Sequence, residues 1–143
     1  MGREERAVSL FNEGYNCAQS VVLAFSDLFK EDEQTLATAV SGFGGGFSRM
    51  REVCGAVSGM TYVLSRFFGY SDPKDMDAKL RTYEIVRGAC KAFEAQFGSV
   101  VCREMLKDVG IVDGDRTGRP CSRAVAYAAK LVEEYLFVAQ PNE

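Results

Sequence analysis

The chain has 143 residues and a mass of 15.7 kDa, and 47% of its residues are hydrophobic, a size and composition suited to one domain with a substantial core. Seventeen Lys and Arg stand against 20 Asp and Glu, a net charge of −3, and the cations are spread along the chain, which excludes nucleic acid as the main partner. Histidine is absent while cysteine occurs five times, so imidazole catalysis, imidazole metal ligation and C-x-x-C-H haem attachment are all excluded.

The opening residues, MGREERAV, are charged and lack the apolar run of a secretory signal, so a cytoplasmic protein is expected. Ala7, Leu10, Phe11 and Gly14 recur at helical spacing, and after a break at Gly14-Tyr15-Asn16 a second stripe runs Ala18, Val21, Val22, Phe25, Leu28, Phe29. A third, shorter helix is expected over about Asp32 to Val40. It ends in Ser41-Gly42-Phe43-Gly44-Gly45-Gly46, a glycine run costly to hold in a helix, read as a tight loop that brings backbone close to a site. Without a preceding strand or a G-x-x-x-x-G-K-[ST] pattern, this loop does not read as a nucleotide site.

Val53, Val57, Met60, Leu64 and Phe67 then fall at spacings of four and three, with Cys54 and Ala56 making the remaining surface apolar as well. Such a helix is central and buried. The uncharged stretch Val53 to Ser65 is shorter than the roughly 18 to 20 residues that span a bilayer, so no membrane association is expected. Gly55 and Gly59, four apart, would let another backbone approach. A long helix is predicted from Asp75 to Phe97, with Leu80, Tyr83, Val86, Cys90, Phe93 and Phe97 inward, followed by a short one over Val100 to Lys107 capped by Ser99. The polar segment Gly110 to Gly118 reads as loop, its Asp113, Asp115 and Arg116 forming either a lid or a solvated surface. The last helix begins at Pro120, with Ala124, Val125, Ala128, Leu131, Val132, Tyr135 and Leu136 on its apolar face. The expected fold is all-α: a single domain over residues 1–143, a bundle of about six helices around a central buried one. Tyr62, Phe68 and Tyr70 leave apolar surface that points to a homodimer.

Four cysteines fall at predicted helix starts. Cys17 follows Asn16, a good N-cap; Cys54 follows the glycine loop and Arg49-Met50-Arg51; Cys102 lies three residues past Ser99; Cys121 follows Pro120. Free amides and the positive end of the helix dipole favour a thiolate there, and Arg103, Arg119 and Arg123 are near enough in sequence to add to that field. Cys90, in mid-helix on the predicted inner stripe, reads as a core residue.

Taken in order, Cys17 in Tyr-Asn-Cys-Ala-Gln-Ser-Val, Gly44-Gly45-Gly46 leading to Cys54-Gly55-Ala56-Val57-Ser58-Gly59, Cys102 in Val-Cys-Arg-Glu, and Cys121 before the final helix resemble the C_GCAxxG_C_C family, from about Asn12 to Leu136. That resemblance implies redox activity carried by the same four cysteines, with Cys90 outside the set. The family is also similar to part of the split-Soret type of cytochrome, which carries haem and a cysteine-bound iron–sulfur centre. This chain departs from that type, because without His or C-x-x-C it has no covalent haem of the usual kind.

Three readings stay open on the residues. In the first, Cys17, Cys54, Cys102 and Cys121 form a thiol–disulfide relay or sensor that exchanges with an unknown redox partner. In the second, the same four thiolates hold an iron–sulfur cluster, zinc or another soft metal. In the third, the chain is a non-catalytic helical interaction module whose cysteines only pack. The first two require the four sulfurs to gather in one place.

Overall fold

Four helices begin at a glycine or a short polar cap (Gly2, Asn16, Asp32 and Asp75), whereas Phe43, Cys54 and Val101 precede three others. The computed structural model describes residues 1–111, 115, 116 and 118–138, so Asp113 lies outside the described residues. Among those residues are eight helices: α1 (Arg3–Glu13), α2 (Cys17–Leu23), α3 (Glu33–Ala39), α4 (Gly44–Phe47), α5 (Gly55–Phe68), α6 (Met76–Phe97), α7 (Cys102–Leu106) and α8 (Cys121–Val138). The chain is all-α, with more helices than the six expected. The unexpected one is α4, four residues within the glycine run read as a loop, whereas α7 lies inside the short helix expected over Val100 to Lys107.

α1 buries Ala7, Leu10 and Phe11 and ends at Gly14, whose φ of 113° provides a left-handed cap. α2 starts at a capping box: the Asn16 side chain accepts from the Gln19 amide, and the Gln19 side chain accepts from the Asn16 amide. It is shorter than its apolar stripe, because the chain tightens into a 3-10 turn at Ser26–Leu28, leaving Leu28 exposed.

α5 is the central helix. Eight of its 14 residues are buried, and it packs against α2, α8, α6 and α4. Its closest partner is α2, at a small-residue contact: a methyl group on Gly59 would stand 2.6 Å from the Ala18 carbonyl oxygen. The helix begins two residues after Val53, which instead forms an isolated antiparallel bridge with Val101. At its end Phe68 is buried and Phe67 stacks on Phe29, with ring centroids 5.5 Å apart.

α6 differs from its predicted orientation. Its buried residues are Thr82, Ala89 and Phe93, while Leu80 and Tyr83 face outward. Thr82 turns inward because its hydroxyl donates to the Phe68 carbonyl at 2.7 Å, tying the start of α6 to the end of α5. Of the aromatic residues taken to point to a second copy, Phe68 is buried in the core, Tyr62 packs against Phe29, and the Tyr70 and Tyr83 hydroxyls meet at 3.4 Å. α8 places Ala124, Val125, Ala128, Leu131 and Val132 in the core as its pattern predicted. No helix among the described residues is long and apolar enough to cross a membrane.

Candidate functional site

The N-terminal ends of α2, α5, α7 and α8 converge on a cavity of about 430 Å³, and Cys17, Cys54, Cys102 and Cys121 all line it. Cys90 does not. It lies half-buried on α6 near Thr61 of α5, with its thiol pushed up by burial and by the Glu94 carboxylate.

Three of the cysteines are the first residues of their helices and one is a cap. Cys17 follows the Asn16 cap. Cys121 opens α8, and the Ala124 amide donates to the Pro120 carbonyl at 2.8 Å, so Pro120 stands one place earlier than expected. Cys102 opens α7 directly; Ser99 does not cap that helix, its hydroxyl accepting instead from the Val101 amide. Cys54 is the N-cap residue of α5.

The Val53–Val101 bridge sets Cys54 and Cys102. The Cys54 amide donates to Val100 at 2.7 Å and the Cys102 amide to Glu52 at 2.6 Å, which locks the two segments side by side. In extended backbone, neighbouring side chains point to opposite faces, so the residue after each bridged valine turns the other way, here toward the cavity.

The glycines close the approach. A methyl group on Gly55 would stand 3.0 Å from Cβ of Cys17, and one on Gly46 would stand 2.8 Å from Cβ of Cys102. From Gly45 through Arg49 five consecutive residues have positive φ, and Arg51 follows at 61°. The turn after Gly44 is therefore left-handed, held by amides of Arg51 and Glu52 donating to Gly45 and Gly46 carbonyls. Phe47, Ser48, Arg49 and Arg51 are not glycine, and each such residue costs of the order of 1 kcal/mol. Strain of this kind persists only where the surroundings impose it.

The four thiols are electrostatically unequal. The Cys17 and Cys121 thiols act on each other, and of the two Cys121 gives up its proton first. The neighbouring Cys17 thiol, helped by Arg119, Arg116 and Arg51, brings the Cys121 thiol down to about 7, against burial acting the other way. Cys121, with burial, drives Cys17 well above the ordinary thiol range. Cys54 is pushed up to about 12 by burial, although the Ala56 and Val57 amides at the start of α5 favour its thiolate. Arg51, 9% exposed, donates from Nη1 to the Cys102 sulfur at 3.8 Å.

Arg116, read from the sequence as part of a lid or a solvated surface, lies beside the cysteines, a placement the sequence did not signal. Its guanidinium donates to the Phe11 carbonyl at 2.7 Å and the Tyr15 carbonyl at 3.3 Å, and lies 3.9 Å over the Phe11 ring. It thus closes the end of α1 and holds a positive charge beside Cys17 and Cys121. Arg103 and Arg123, expected to serve thiolates, do other things: Arg103 pairs with Glu52, and Arg123 lies away from the cavity.

Four cysteine sulfurs in one cavity, arriving in the order Cys17, Cys54-Gly55-Ala56-x-x-Gly59, Cys102, Cys121, match over residues 15–135 the family described as "Putative redox-active protein (C_GCAxxG_C_C)". The chain belongs to this family. No curated protein and no solved structure matches it. In this C_GCAxxG_C_C protein no cysteine is in a disulfide, and among the described residues no three Cys, Asp or Glu side chains are grouped closely enough to hold a metal ion.

Proposed function

We propose that the protein is a thiol–disulfide exchange protein in which Cys121 is the attacking thiolate and Cys17 the resolving thiol. The observation that supports this reading is that Cys17 and Cys121, from the starts of two different helices, line one cavity with Cys54 and Cys102, where Cys121 is the acidic thiol. A thiol with a pKa near ambient pH attacks best, being largely ionised without losing much nucleophilicity. Cys121, at about 7, meets that condition.

The mutual influence of the two thiols also orders the two steps. While Cys121 is a thiolate, it keeps the proton on Cys17. Once Cys121 forms a mixed disulfide its negative charge is gone, and so is the main influence raising Cys17. Cys17 then gives up its proton, with Arg116 favouring the anion, and attacks the Cys121 sulfur. Cys54 stands where the charges of Cys102 and Cys121 both reach it, a position suited to passing the disulfide inward.

Mild oxidation followed by mass-spectrometric disulfide mapping tests the assignment. A Cys17–Cys121 bond forming first, with Cys90 still alkylatable, is the expected result. A first disulfide that includes Cys90, or the persistence of all five thiols, overturns it.

A further inference from the structure

The four cavity cysteines divide by depth. Cys54 and Cys102 are buried, at 6% and 9% exposure, whereas Cys17 and Cys121 are half-buried. Cys17 and Cys121 act most strongly on each other, and among the thiols it is Cys102 that acts most on Cys54.

The backbone sets the inner two side by side. The Cys54 amide donates to the Val100 carbonyl and the Cys102 amide to the Glu52 carbonyl, on either side of the bridged valines Val53 and Val101. Cys54 and Cys102 are thus diagonal neighbours across a short antiparallel pair, with Cβ atoms on the order of 7 Å apart. A disulfide holds its Cβ atoms about 4 Å apart, so joining them asks the two helix starts to close by a few ångström. The inner pair also adjoins the outer one: a methyl group on Gly55, the residue after Cys54, would stand 3.0 Å from Cβ of Cys17.

We propose that Cys54 and Cys102 are a second, inner dithiol oxidised through the Cys17–Cys121 disulfide, so that the reduced protein gives four electrons to two substrate disulfides in succession. This second pair presupposes the thiol-exchange reading: it is where the disulfide of that exchange goes next.

The first R–S–S–R leaves Cys17 and Cys121 joined and departs as two RSH. Cys54 then attacks the Cys17 sulfur, the Cys17–Cys121 bond breaks, and the Cys121 sulfur leaves with the Cys54 proton. Cys121, at about 7, is the better leaving group of the joined pair. The Cys102 sulfur, beside the Arg51 guanidinium, attacks Cys54 in turn; the Cys17–Cys54 bond breaks, and Cys17 leaves with the Cys102 proton. Two electrons have passed from Cys54 and Cys102 to Cys17 and Cys121, which are thiols again and reduce a second R–S–S–R. The transfer runs inward because Cys54, held protonated up to about 12, is a poor leaving group, and the bond it makes resists reversal. For the same reason Cys54 attacks slowly, and the inner bond follows the outer one.

To test this, the reduced protein is given one equivalent of oxidised glutathione, the small molecules are removed, and samples are alkylated over time for disulfide mapping by mass spectrometry. The bond should appear as Cys17–Cys121 and move to Cys54–Cys102 with no oxidant present, at a first-order rate unchanged by dilution of the protein. Excess oxidised glutathione should then consume four of the five thiols and leave Cys90 alkylatable, whereas Cys54→Ser and Cys102→Ser should each stop at the Cys17–Cys121 bond. In the Cys17→Ser/Cys121→Ser double variant, its fold checked by circular dichroism, the inner bond should form at least about tenfold more slowly than in the wild type. A Cys17–Cys121 bond that stays where it formed, or an inner bond that forms equally fast in the folded double variant, overturns the inward transfer while leaving thiol exchange standing. If no Cys17–Cys121 bond forms at any stage, the exchange reading itself falls.

Discussion

Cys121 and Cys17 differ by which of them holds one proton, and that difference is measurable. The alkylation rate of Cys121 by iodoacetamide, followed by peptide mapping, should rise with pH through a midpoint near 7. In Cys17→Ala the neighbouring thiol is gone, and the midpoint should move up toward the ordinary thiol value; an unchanged midpoint would show that the arginines alone ionise Cys121. The same proton makes stability depend on pH under reducing conditions. Folded Cys121 loses its proton near 7 while the unfolded thiol keeps it to about 9.0, so its stabilisation is complete above 9.0 and is lost as pH falls through 7. Cys54, held protonated up to about 12, acts in the opposite sense: above 9.0 the unfolded chain releases a proton that the folded one retains, and stability falls. Urea denaturation of the wild type and of Cys121→Ser should therefore show a difference that narrows from pH 9 to pH 6. Much at this scale was legible beforehand. Asn16 as a cap and four cysteines at helix starts follow from local side-chain chemistry. Which cysteine is acidic does not, because it depends on Arg116, a loop residue whose partners Phe11 and Tyr15 are about a hundred positions away in the chain.

Among the elements, the left-handed turn from Gly45 to Arg49 has the most specific requirements. Gly46→Ala combines a φ of 71° with a methyl group 2.8 Å from Cβ of Cys102 and from the Glu52 amide nitrogen. It should destabilise the fold by about 3 kcal/mol, the sum of left-handed strain and overpacking. Gly98→Ala, at a φ of 83° with nothing within 4 Å of the added methyl, should cost only about 1 kcal/mol. Equal losses of denaturation midpoint in the two variants would mean that Gly46 is needed for its dihedral angle and not for room beside Cys102. Glycine enrichment identified this loop, but the handedness of the turn could not be read, since Phe47, Ser48 and Arg49 adopt it against their own preference. α6 gives a second instance. Its period was plain, yet an apolar stripe containing Leu80 and Tyr83 was placed inward, whereas Thr82, hydrogen-bonded to the end of α5, sets the rotation of the helix.

For the whole molecule, the bond between Cys17 and Cys121 would join the second helix to the last and close a loop of about 100 residues. In the chain-entropy description such a crosslink stabilises by about 4 to 5 kcal/mol when the native geometry accepts it without strain. Denaturant titration of the oxidised and reduced forms should show the oxidised form more stable, and the difference should vanish in Cys17→Ala. An oxidised form less stable than the reduced one would mean that the helix starts must move apart to let the sulfurs bond.

The sequence by itself determined the helical class, the buried position of α5, the lack of imidazole and of a C-x-x-C-H haem attachment, and the placing of four cysteines at helix starts. These follow from composition, periodicity and capping, which act within a few residues. Only the tertiary structure decided that the four helix starts face one cavity, that Cys17 makes Cys121 the acidic thiol, and that four arginines line the same space. Those relations join residues far apart in the chain, and they depend on small-residue contacts such as Gly59 against Ala18 and Gly46 against Cys102, whose effect exists only once the elements pack.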